Sequence, residues 1–217
     1  MFGASHSPTT SCFFSGRIQT TLSALSAIVI AVALNSCGNG DPRNGVIISV
    51  KDQRMLLVKN GQPVKSYPIS TSKFGLGDRR GSNRTPVGRM EVAKKIGKGA
   101  PSGAVFKSRR RTGEILKPNA PGRDPIVSRI LWLRGKQGST RNAFSRYIYI
   151  HGTAEEYTIG HPRSYGCIRM KSRDIIDLYR ELGVGSQVNV IKGPLLSTDA
   201  GKNYFASHAG YLPAAGN

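Results

Sequence analysis

A histidine and a cysteine stand out as a potentially reactive pair within residues 147–170. His151 follows a run of alternating tyrosine and isoleucine, and Cys167 lies sixteen positions later, at the end of a loop rich in glycine, proline and serine. Only the thiolate form of a cysteine is a strong nucleophile, and an imidazole within hydrogen-bonding reach can remove the thiol proton. A nucleophile and a base that are distant in sequence are brought together by a returning loop. The pattern therefore predicts that Cys167 is a nucleophile and that His151 is its base.

Two alternatives compete with this interpretation. A lone cysteine more often packs in the interior than reacts, and His151 would then be a structural residue at a strand end. His161 is a second candidate for the base, but its glycine and proline neighbours indicate a solvated loop, which places it at the rim of the site. The basic residues that flank the cysteine, Arg163 and Arg169, favour a thiolate and so favour the catalytic interpretation.

The local elements must hold this pair in place. Period-2 alternation over residues 147–151 predicts a strand with Tyr149 and His151 on one sheet face and the isoleucines on the other. Gly166 lets the backbone bend beside the cysteine. The amides of Gly166 and Cys167 are the candidates for binding a developing oxyanion.

The motif His-Gly-Thr, a loop and then Ser-x-Gly-Cys-Ile-Arg-Met resembles the L,D-transpeptidase catalytic domain (YkuD type) of exported bacterial cell-wall enzymes. The resemblance covers roughly residues 45–192. It implies that Cys167 is the acyl-accepting nucleophile and that His151 is its base. The family usually has a second histidine directly before the glycine of this motif. Here that position is Tyr165, so the role of that histidine is not transferred to this chain.

The resemblance implies peptidoglycan L,D-transpeptidation. The thiolate would attack the carbonyl at the L-centre of the third residue of a tetrapeptide stem and release the terminal D-alanine. The acyl group would then pass to an amine of another stem or of a protein. No cofactor is needed for this chemistry. Two alternatives stay open: water as the acceptor, which gives an L,D-carboxypeptidase or an amidase, and a non-catalytic wall-binding lipoprotein.

Other residues of the motif are expected to support the pair or to contact substrate. Ser164 is assigned to the oxyanion support together with Gly166. Two roles stay open for Arg169, which are pairing with a substrate carboxylate and bracing of the loop. The positions expected to bind substrate are Gly152, Thr153, Tyr165 and Arg169.

Residues 1–37 have the features of a secretory signal peptide. Residues 20–34 are apolar but too short for a comfortable membrane span. The Leu-Asn-Ser-Cys that follows resembles the lipobox of bacterial lipoproteins, in which Cys37 becomes lipidated. Residues 38–44 form a polar tether. We therefore expect export to the periplasm or cell envelope, with a possible lipid anchor in a membrane, and Cys167 is then the thiol left free in an oxidising compartment.

The remaining pattern predicts a mainly β domain over residues 45–192. We expect an L,D-transpeptidase-like mixed sheet or sandwich with a short helix after the cysteine loop. The pair Asn60-Gly61, between two apolar runs, predicts a hairpin. Residues 129–134 are apolar on both faces, which is typical of a central strand, and residues 187–191 are expected to form the final strand.

Three further segments carry weaker signals. Residues 94–129 are polar and rich in glycine, proline and basic residues, which predicts a long loop, either a lid over the site or a mobile insertion. Thr-Pro-Val-Gly at 85–88 is typical of a turn before a strand. Residues 193–217 are expected to form a tail with little capacity to fold. Ser172 is expected to be the N-cap of the helix that follows the cysteine loop.

The formal net charge is +20, from 32 Lys and Arg against 12 Asp and Glu. In an intracellular protein this charge would first indicate nucleic-acid binding, but the predicted export argues against a nucleic-acid partner. The anions available outside the cytoplasm are wall polymers, acidic lipids and the carboxylates of peptidoglycan stem peptides. A zinc site made of Cys167, His151 and His161 lacks a fourth ligand and regular spacing, so no metal is expected.

Overall fold

The structure is a computed structural model that describes residues 43–208. The predicted signal peptide at residues 1–37, the predicted lipidation site Cys37, residues 38–42 of the tether and the last part of the predicted tail lie outside the described residues. Within the described range, no helix combines the length and the apolar character needed to cross a membrane.

The described chain is built around one mixed sheet of ten strands. In chain order the strands are β1 (Asn44–Ser49), β2 (Arg54–Lys59), β3 (Gln62–Pro68), β4 (Gly88–Ile96), β5 (Ala104–Lys107), β6 (Arg110–Ile115), β7 (Ile126–Gly135), β8 (Tyr149–Thr153), β9 (Ile168–Met170) and β10 (Gln187–Ile191). The order across the sheet is β3-β2-β1-β10-β4-β7-β5-β6, and β8 pairs with both β7 and β9. The pairs β1–β10 and β8–β9 are parallel. The mainly β fold class is confirmed.

Few helices accompany the sheet. Among residues 43–208 the α-helices are α1 (Ser172–Glu181), directly after β9, and α2 (Asp199–Ser207), near the end of the described range. Single 3₁₀ turns occur at Gly138–Thr140, Glu156–Thr158 and Leu195–Ser197. The predicted helix after the cysteine loop is α1.

The hairpin between β2 and β3 has the conformation that its sequence predicts. Asn60 has φ of 49° and Gly61 has φ of 78°. A two-residue hairpin turn of type I′ needs positive φ at both central positions, which Asn-Gly adopts with little strain. The predicted strands on either side of this turn, the central strand β7 and the final strand β10 are all present.

The two faces of β8 contact different hydrophobic clusters. Ile148 and Ile150 are buried in the main cluster, which also contains the apolar side chains of α1. Tyr149 lies in a second cluster with Trp132, whose indole N–H donates to the carbonyl of Phe144. The predicted alternation is confirmed, and the face that carries Tyr149 also carries His151. The strand begins at Tyr149 and not at Tyr147 as predicted, because Tyr147 lies in a turn with φ of 57°.

Ser172 does not cap α1, contrary to the prediction. Lys171 occupies the N-cap position and Ser172 is the first helical residue. The Ser172 amide donates a 2.8 Å hydrogen bond to the carboxylate of Glu156, while its hydroxyl accepts a hydrogen bond from Ser128. A carboxylate at this position satisfies a free amide and stabilises the positive end of the helix dipole. The sequence did not show this cap because Glu156 comes from the remote cysteine loop.

The prediction of a long loop over residues 94–129 was wrong. This segment contains the end of β4, the hairpin of β5 and β6, and the start of β7. Every residue of β6 is exposed, so its sequence lacks the apolar alternation that marks a half-buried strand. Ser108 and Arg109 form the hairpin turn with φ of 49° and 67°. Backbone pairing, and not side-chain burial, makes this segment a strand.

The predicted tail also folds over the part that the structure describes. Leu195 and Phe205 pack against Leu56 of β2 in a third hydrophobic cluster. Helix α2 is capped by Thr198, whose hydroxyl accepts a 3.0 Å hydrogen bond from the amide of Gly201. A few apolar side chains within a polar segment order these residues because β2 supplies the surface that they cover.

The contact between this terminal segment and β2 predicts an asymmetric effect of two adjacent substitutions. Leu195 has no exposed surface, whereas its neighbour Leu196 is 46% exposed. We expect Leu195→Ala to lower the free energy of unfolding by about 3 kcal/mol, because it leaves a cavity, and Leu196→Ala to lower it by less than about 0.5 kcal/mol. Urea denaturation of both variants measures the difference, and equal effects would show that the segment does not pack on the domain in solution.

Candidate active site

The parallel pairing of β8 and β9 brings the cysteine and the histidine together. Ile150 lies opposite Ile168, and His151 lies opposite Arg169. Cys167 directly precedes β9, so it is a diagonal neighbour of His151 on the same face of the sheet. Diagonal neighbours on adjacent strands are roughly 7–8 Å apart, which lets their side chains meet.

Cys167 and His151 line a single cavity of about 770 Å³. Lys73, Glu155, Arg163 and Tyr165 contribute further polar walls, and the exposed His161 also lines it, at the rim position that the sequence predicted. Its volume is within the range of roughly 300–1,000 Å³ that is common for small-ligand sites.

His151 is held in one tautomer. Its side chain is buried, and Nδ1 lies 2.8 Å from the carbonyl oxygen of Gly152. A carbonyl oxygen only accepts, so Nδ1 carries the proton and Nε2 is the nitrogen able to accept one. Burial lowers the pKa of His151, while the hydrogen bond to Gly152 and the charge of Asp124 oppose this shift. The imidazole is therefore a neutral base near pH 7.

The surroundings of Cys167 favour the protonated thiol. Its Sγ donates to the carbonyl of Tyr147 at 3.4 Å. Burial raises the pKa of Cys167 to about 11, and the hydrogen bond from the Tyr149 backbone and the charges of Arg169 and Arg146 oppose this only in part. Arg169 favours the thiolate, as the sequence predicted, but burial has the larger effect on the pKa. The pair rests as thiol and neutral imidazole.

Hydrogen bonds inside the cysteine loop fix the backbone before the thiol. The hydroxyl of Ser164 accepts a 3.2 Å bond from the amide of Gly166 and donates a 2.6 Å bond to the carbonyl of Cys167. Ser164 thus supports the loop. Of the two amides expected to bind an oxyanion, that of Gly166 is engaged by Ser164, which leaves the amide of Cys167 as the candidate donor.

A separate segment, residues 69–73, holds the cysteine loop along its length. Backbone hydrogen bonds join Ser70 to Arg169 in both directions, Thr71 to Ser164, and Lys73 to Ser164. The hydroxyl of Ser70 also donates to the carbonyl of His161 at 2.6 Å. The sequence analysis did not find this contact, because isolated backbone pairing leaves no periodic pattern in the side chains.

Thr85 is a further supporting residue that the sequence analysis described only as part of a turn. Its hydroxyl donates a 3.1 Å bond to the carbonyl of Gly166 and accepts a 3.0 Å bond from the amide of Ser72. Gly166 has φ of 116°, and an added Cβ would lie 3.3 Å from the Arg84 carbonyl. Thr85 therefore supports the residue that precedes Cys167.

Arg169 braces the loop through buried ion pairs. Its Nη1 lies 2.9 Å from Asp124 Oδ2 and 3.0 Å from Glu155 Oε2, and its Nη2 donates to the carbonyl of Arg163 at 3.1 Å. Only 5% of the residue is exposed. Of the two roles left open by the sequence, this geometry corresponds to bracing, because both of the guanidinium's terminal nitrogens are engaged within the protein.

The other predicted substrate-binding residues divide into two groups. Gly152 and Thr153 are buried: Gly152 accepts the bond from His151, and the Thr153 hydroxyl accepts from the Glu155 amide and donates to Asp124. Tyr165, in contrast, is 59% exposed. It lines the main cavity and also a second cavity of about 320 Å³. Tyr165 is therefore the member of this set that is open to a ligand.

The second cavity lies against the same thiol. Cys167 and Tyr165 line both cavities, and Arg80 and Arg146 add positive charge to the second one. Arg146 is held by Asp78 through a 3.0 Å ion pair. Among residues 43–208, no group of three His, Cys, Asp or Glu side chains is placed to hold a metal ion.

The raised thiol pKa predicts the pH dependence of alkylation at Cys167. Iodoacetamide reacts with thiolate, so the rate at pH 7 should be roughly two orders of magnitude below that of an unperturbed cysteine. It should rise about tenfold per pH unit up to at least pH 9.5, because the pKa is about 11. Peptide mass spectrometry separates this site from Cys12 and Cys37. A plateau already below pH 9 would contradict the protonated resting state.

The bracing role of Arg169 predicts a stability effect that surface arginines do not share. Arg169→Met leaves the carboxylates of Asp124 and Glu155 without their cation, so we expect a loss of about 3 kcal/mol in unfolding free energy. Arg173→Met is the matched control, since the Arg173 side chain is 81% exposed. Urea denaturation of both variants tests this, and a loss below about 1 kcal/mol for Arg169→Met would contradict the role.

The family model and the curated proteins that match this chain are all L,D-transpeptidases by name. The family model described as the L,D-transpeptidase catalytic domain (YkuD) matches residues 43–190. Two Escherichia coli proteins are similar in sequence. The probable L,D-transpeptidase YcfS is 26% identical over 171 residues, 77% of this chain and 50% of its own length. The probable L,D-transpeptidase ErfK/SrfK is 26% identical over 170 residues, 76% of this chain and 50% of its own. The chain thus spans about half the length of these curated relatives.

Two solved structures of L,D-transpeptidases are similar to this chain at lower identity. An L,D-transpeptidase from Mycobacterium tuberculosis is 17% identical, with 70% of this chain and 58% of that chain covered and a TM-score of 0.44. One from Xylanimonas cellulosilytica is 18% identical, with 74% and 68% covered and a TM-score of 0.45. Because the family model matches more than half of the sequence, this chain belongs to the L,D-transpeptidase catalytic domain family.

Proposed function

We propose that this protein is a peptidoglycan L,D-transpeptidase in which Cys167 is the nucleophile and His151 is the general base. The observation that carries this proposal is that the thiol and a buried imidazole of fixed tautomer line one cavity. Membership of the family supports the choice of substrate, which is the tetrapeptide stem of peptidoglycan.

The neutral resting pair sets the order of the acylation step. Nε2 of His151 takes the thiol proton as Sγ of Cys167 bonds to the carbonyl carbon at the L-centre of the third stem residue. The amide of Cys167 stabilises the oxyanion. When the tetrahedral intermediate collapses, the bond to the terminal D-alanine breaks, and its amine leaves with the proton held by His151. The product is a thioester on Cys167.

The second half of the reaction returns the enzyme to its starting state. An acceptor amine attacks the thioester carbonyl, and His151 takes a proton from that amine and returns it to the leaving thiolate. The net change is one peptide bond broken and one amide bond formed. The second cavity supports an amine acceptor over water, since it gives a second stem a place next to Cys167.

We also propose that the protein works outside the cytoplasm, in the periplasm or cell envelope. The signal-like residues 1–37 support export, and the lipobox-like sequence at Cys37 supports a lipid anchor. The net charge of +20 supports retention on acidic wall polymers.

Acylation by a carbapenem tests the proposed nucleophile and base. Imipenem is the probe, because it is bound in a solved structure of another L,D-transpeptidase. We expect an adduct on Cys167 by intact-protein and peptide mass spectrometry. Cys167→Ala should abolish it, and His151→Ala should slow it by about 10²–10⁴-fold. His161→Ala, at the exposed rim, should change the rate by less than about threefold.

Turnover then distinguishes the enzyme from its rivals. The purified protein is incubated with a tetrapeptide stem, with and without an amine acceptor, and products are separated by mass. A cross-linked product supports transpeptidation, whereas release of D-alanine with no cross-link would identify a carboxypeptidase. Absence of both an imipenem adduct and turnover would overturn the enzymatic proposal and favour a wall-binding protein.

A further inference from the structure

Lys73 lies at the wall of the main cavity, where several contacts hold it in place. Its backbone amide donates to the carbonyl of Ser164 at 3.1 Å. Its Nζ donates to the hydroxyl of Tyr165 at 3.0 Å and lies 4.5 Å from the centre of the same ring. Phe74 packs on Tyr165 with ring centres 5.4 Å apart. The ammonium group is thus held beside the residue that stands two positions before the nucleophile.

The ammonium group of Lys73 has no acidic partner within the described protein and can therefore bind an anionic ligand. Asp124 and Glu155, the acidic groups of the wall, both form their ion pairs with Arg169 rather than with Lys73. Among residues 43–208, no carboxylate lies within ion-pair distance of Lys73, and its side chain is exposed. An ammonium group has three N–H donors, and Tyr165 takes one of them. Two donors remain for a ligand.

We propose that Lys73 binds the terminal carboxylate of the donor stem peptide and so selects a chain end over an internal peptide bond. This inference rests on the proposed function and adds a specificity residue to it. Tyr165 acts as the positioning residue, since it holds the ammonium group through its hydroxyl and its ring.

The chemistry of the scissile bond favours the terminal carboxylate as the partner. The bond that breaks joins the third residue to the terminal one, so that carboxylate lies one residue from the carbon that Cys167 attacks. Successive Cα atoms are about 3.8 Å apart. Lys73 and Cys167 line the same cavity, so a stem peptide bound there can present its terminal carboxylate to the ammonium group. Arg169, in contrast, is committed to its buried carboxylates.

A purely structural role for Lys73 makes a different prediction. If Lys73 only braced Tyr165 and the loop, its loss would slow the reaction of every substrate by the same factor. If it binds the carboxylate, its loss removes the preference for substrates that carry one. The discriminating quantity is the ratio of kcat/KM for two stem peptides that are identical except for a terminal carboxylate in one and a carboxamide in the other.

The test uses the full chain and three variants. For the unaltered protein we expect the ratio of kcat/KM, acid over carboxamide, to be on the order of tenfold, as for a hydrogen bond to a charged group. Lys73→Met should bring the ratio to within about twofold of one, mainly by raising KM for the acid. Lys73→Arg should keep most of the preference because it keeps the charge. Arg163→Met removes one charge from the same cavity and should leave the ratio within about twofold of the unaltered value.

The possible results distinguish a failure of the role of Lys73 from a failure of the proposed function. A ratio near one in the unaltered protein, with turnover of both peptides, would overturn the role of Lys73 and leave the proposed function standing. An equal drop in kcat/KM for both peptides in Lys73→Met would also overturn the role of Lys73. The same holds if Arg163→Met loses the preference to the same extent, because the carboxylate would then be attracted by the positive charge of the cavity in general. No turnover of either peptide together with no imipenem adduct on Cys167 would remove the proposed function and this inference with it. Imipenem acylation of Cys167 in each variant verifies that the nucleophile is intact.

Discussion

The parallel pairing of β8 with β9 is the constraint on which the site depends. Side chains alternate along both strands, so a slip of one residue would turn either Cys167 or His151 toward the hydrophobic core. Parallel neighbours cannot be joined by a tight turn and need a long connection. Residues 154–167 form that connection here, and they carry the carboxylate that caps α1 and one of the two that neutralise Arg169. The register that aligns the reactive pair therefore also produces the loop that surrounds it.

Polar contacts, more than apolar burial, keep this connection in one conformation. Residues 69–73 pair with its backbone, Thr85 holds the carbonyl before the nucleophile, and Arg169 is fixed between two carboxylates. Burial of the two central side chains has a separate effect, because it raises the pKa of Cys167 and lowers that of His151. Both shifts favour the uncharged forms of the thiol and the imidazole. Lys73 is an exposed cation of the cavity wall, and among residues 43–208 no carboxylate lies within ion-pair distance of it.

The sequence misled where structure arises from backbone pairing or from a few remote contacts. Strand β6 is exposed at all positions and follows no hydrophobic period, yet it pairs with β5. The terminal segment has a polar composition, yet Leu195 and Phe205 suffice to order it because β2 offers a surface. Thr85 reads as an ordinary turn residue, and its contact with Gly166 spans 81 positions in sequence. Local patterns cannot report such contacts, since the partner is chosen by topology.

Local physical chemistry was enough to predict the alternation of β8, the Asn-Gly hairpin and the central strand β7, and it is the basis for proposing Cys167 and His151 as a reactive pair. Each of these follows from residues close in sequence: strand periodicity, left-handed turn conformations and the reactivity of a thiol near an imidazole. The tertiary structure alone decided the protonation state of the pair, the bracing role of Arg169 and the engagement of the Gly166 amide by Ser164. Those properties depend on which polar groups share a space without water, and only the folded chain brings Asp124, Glu155 and Arg169 into one such space.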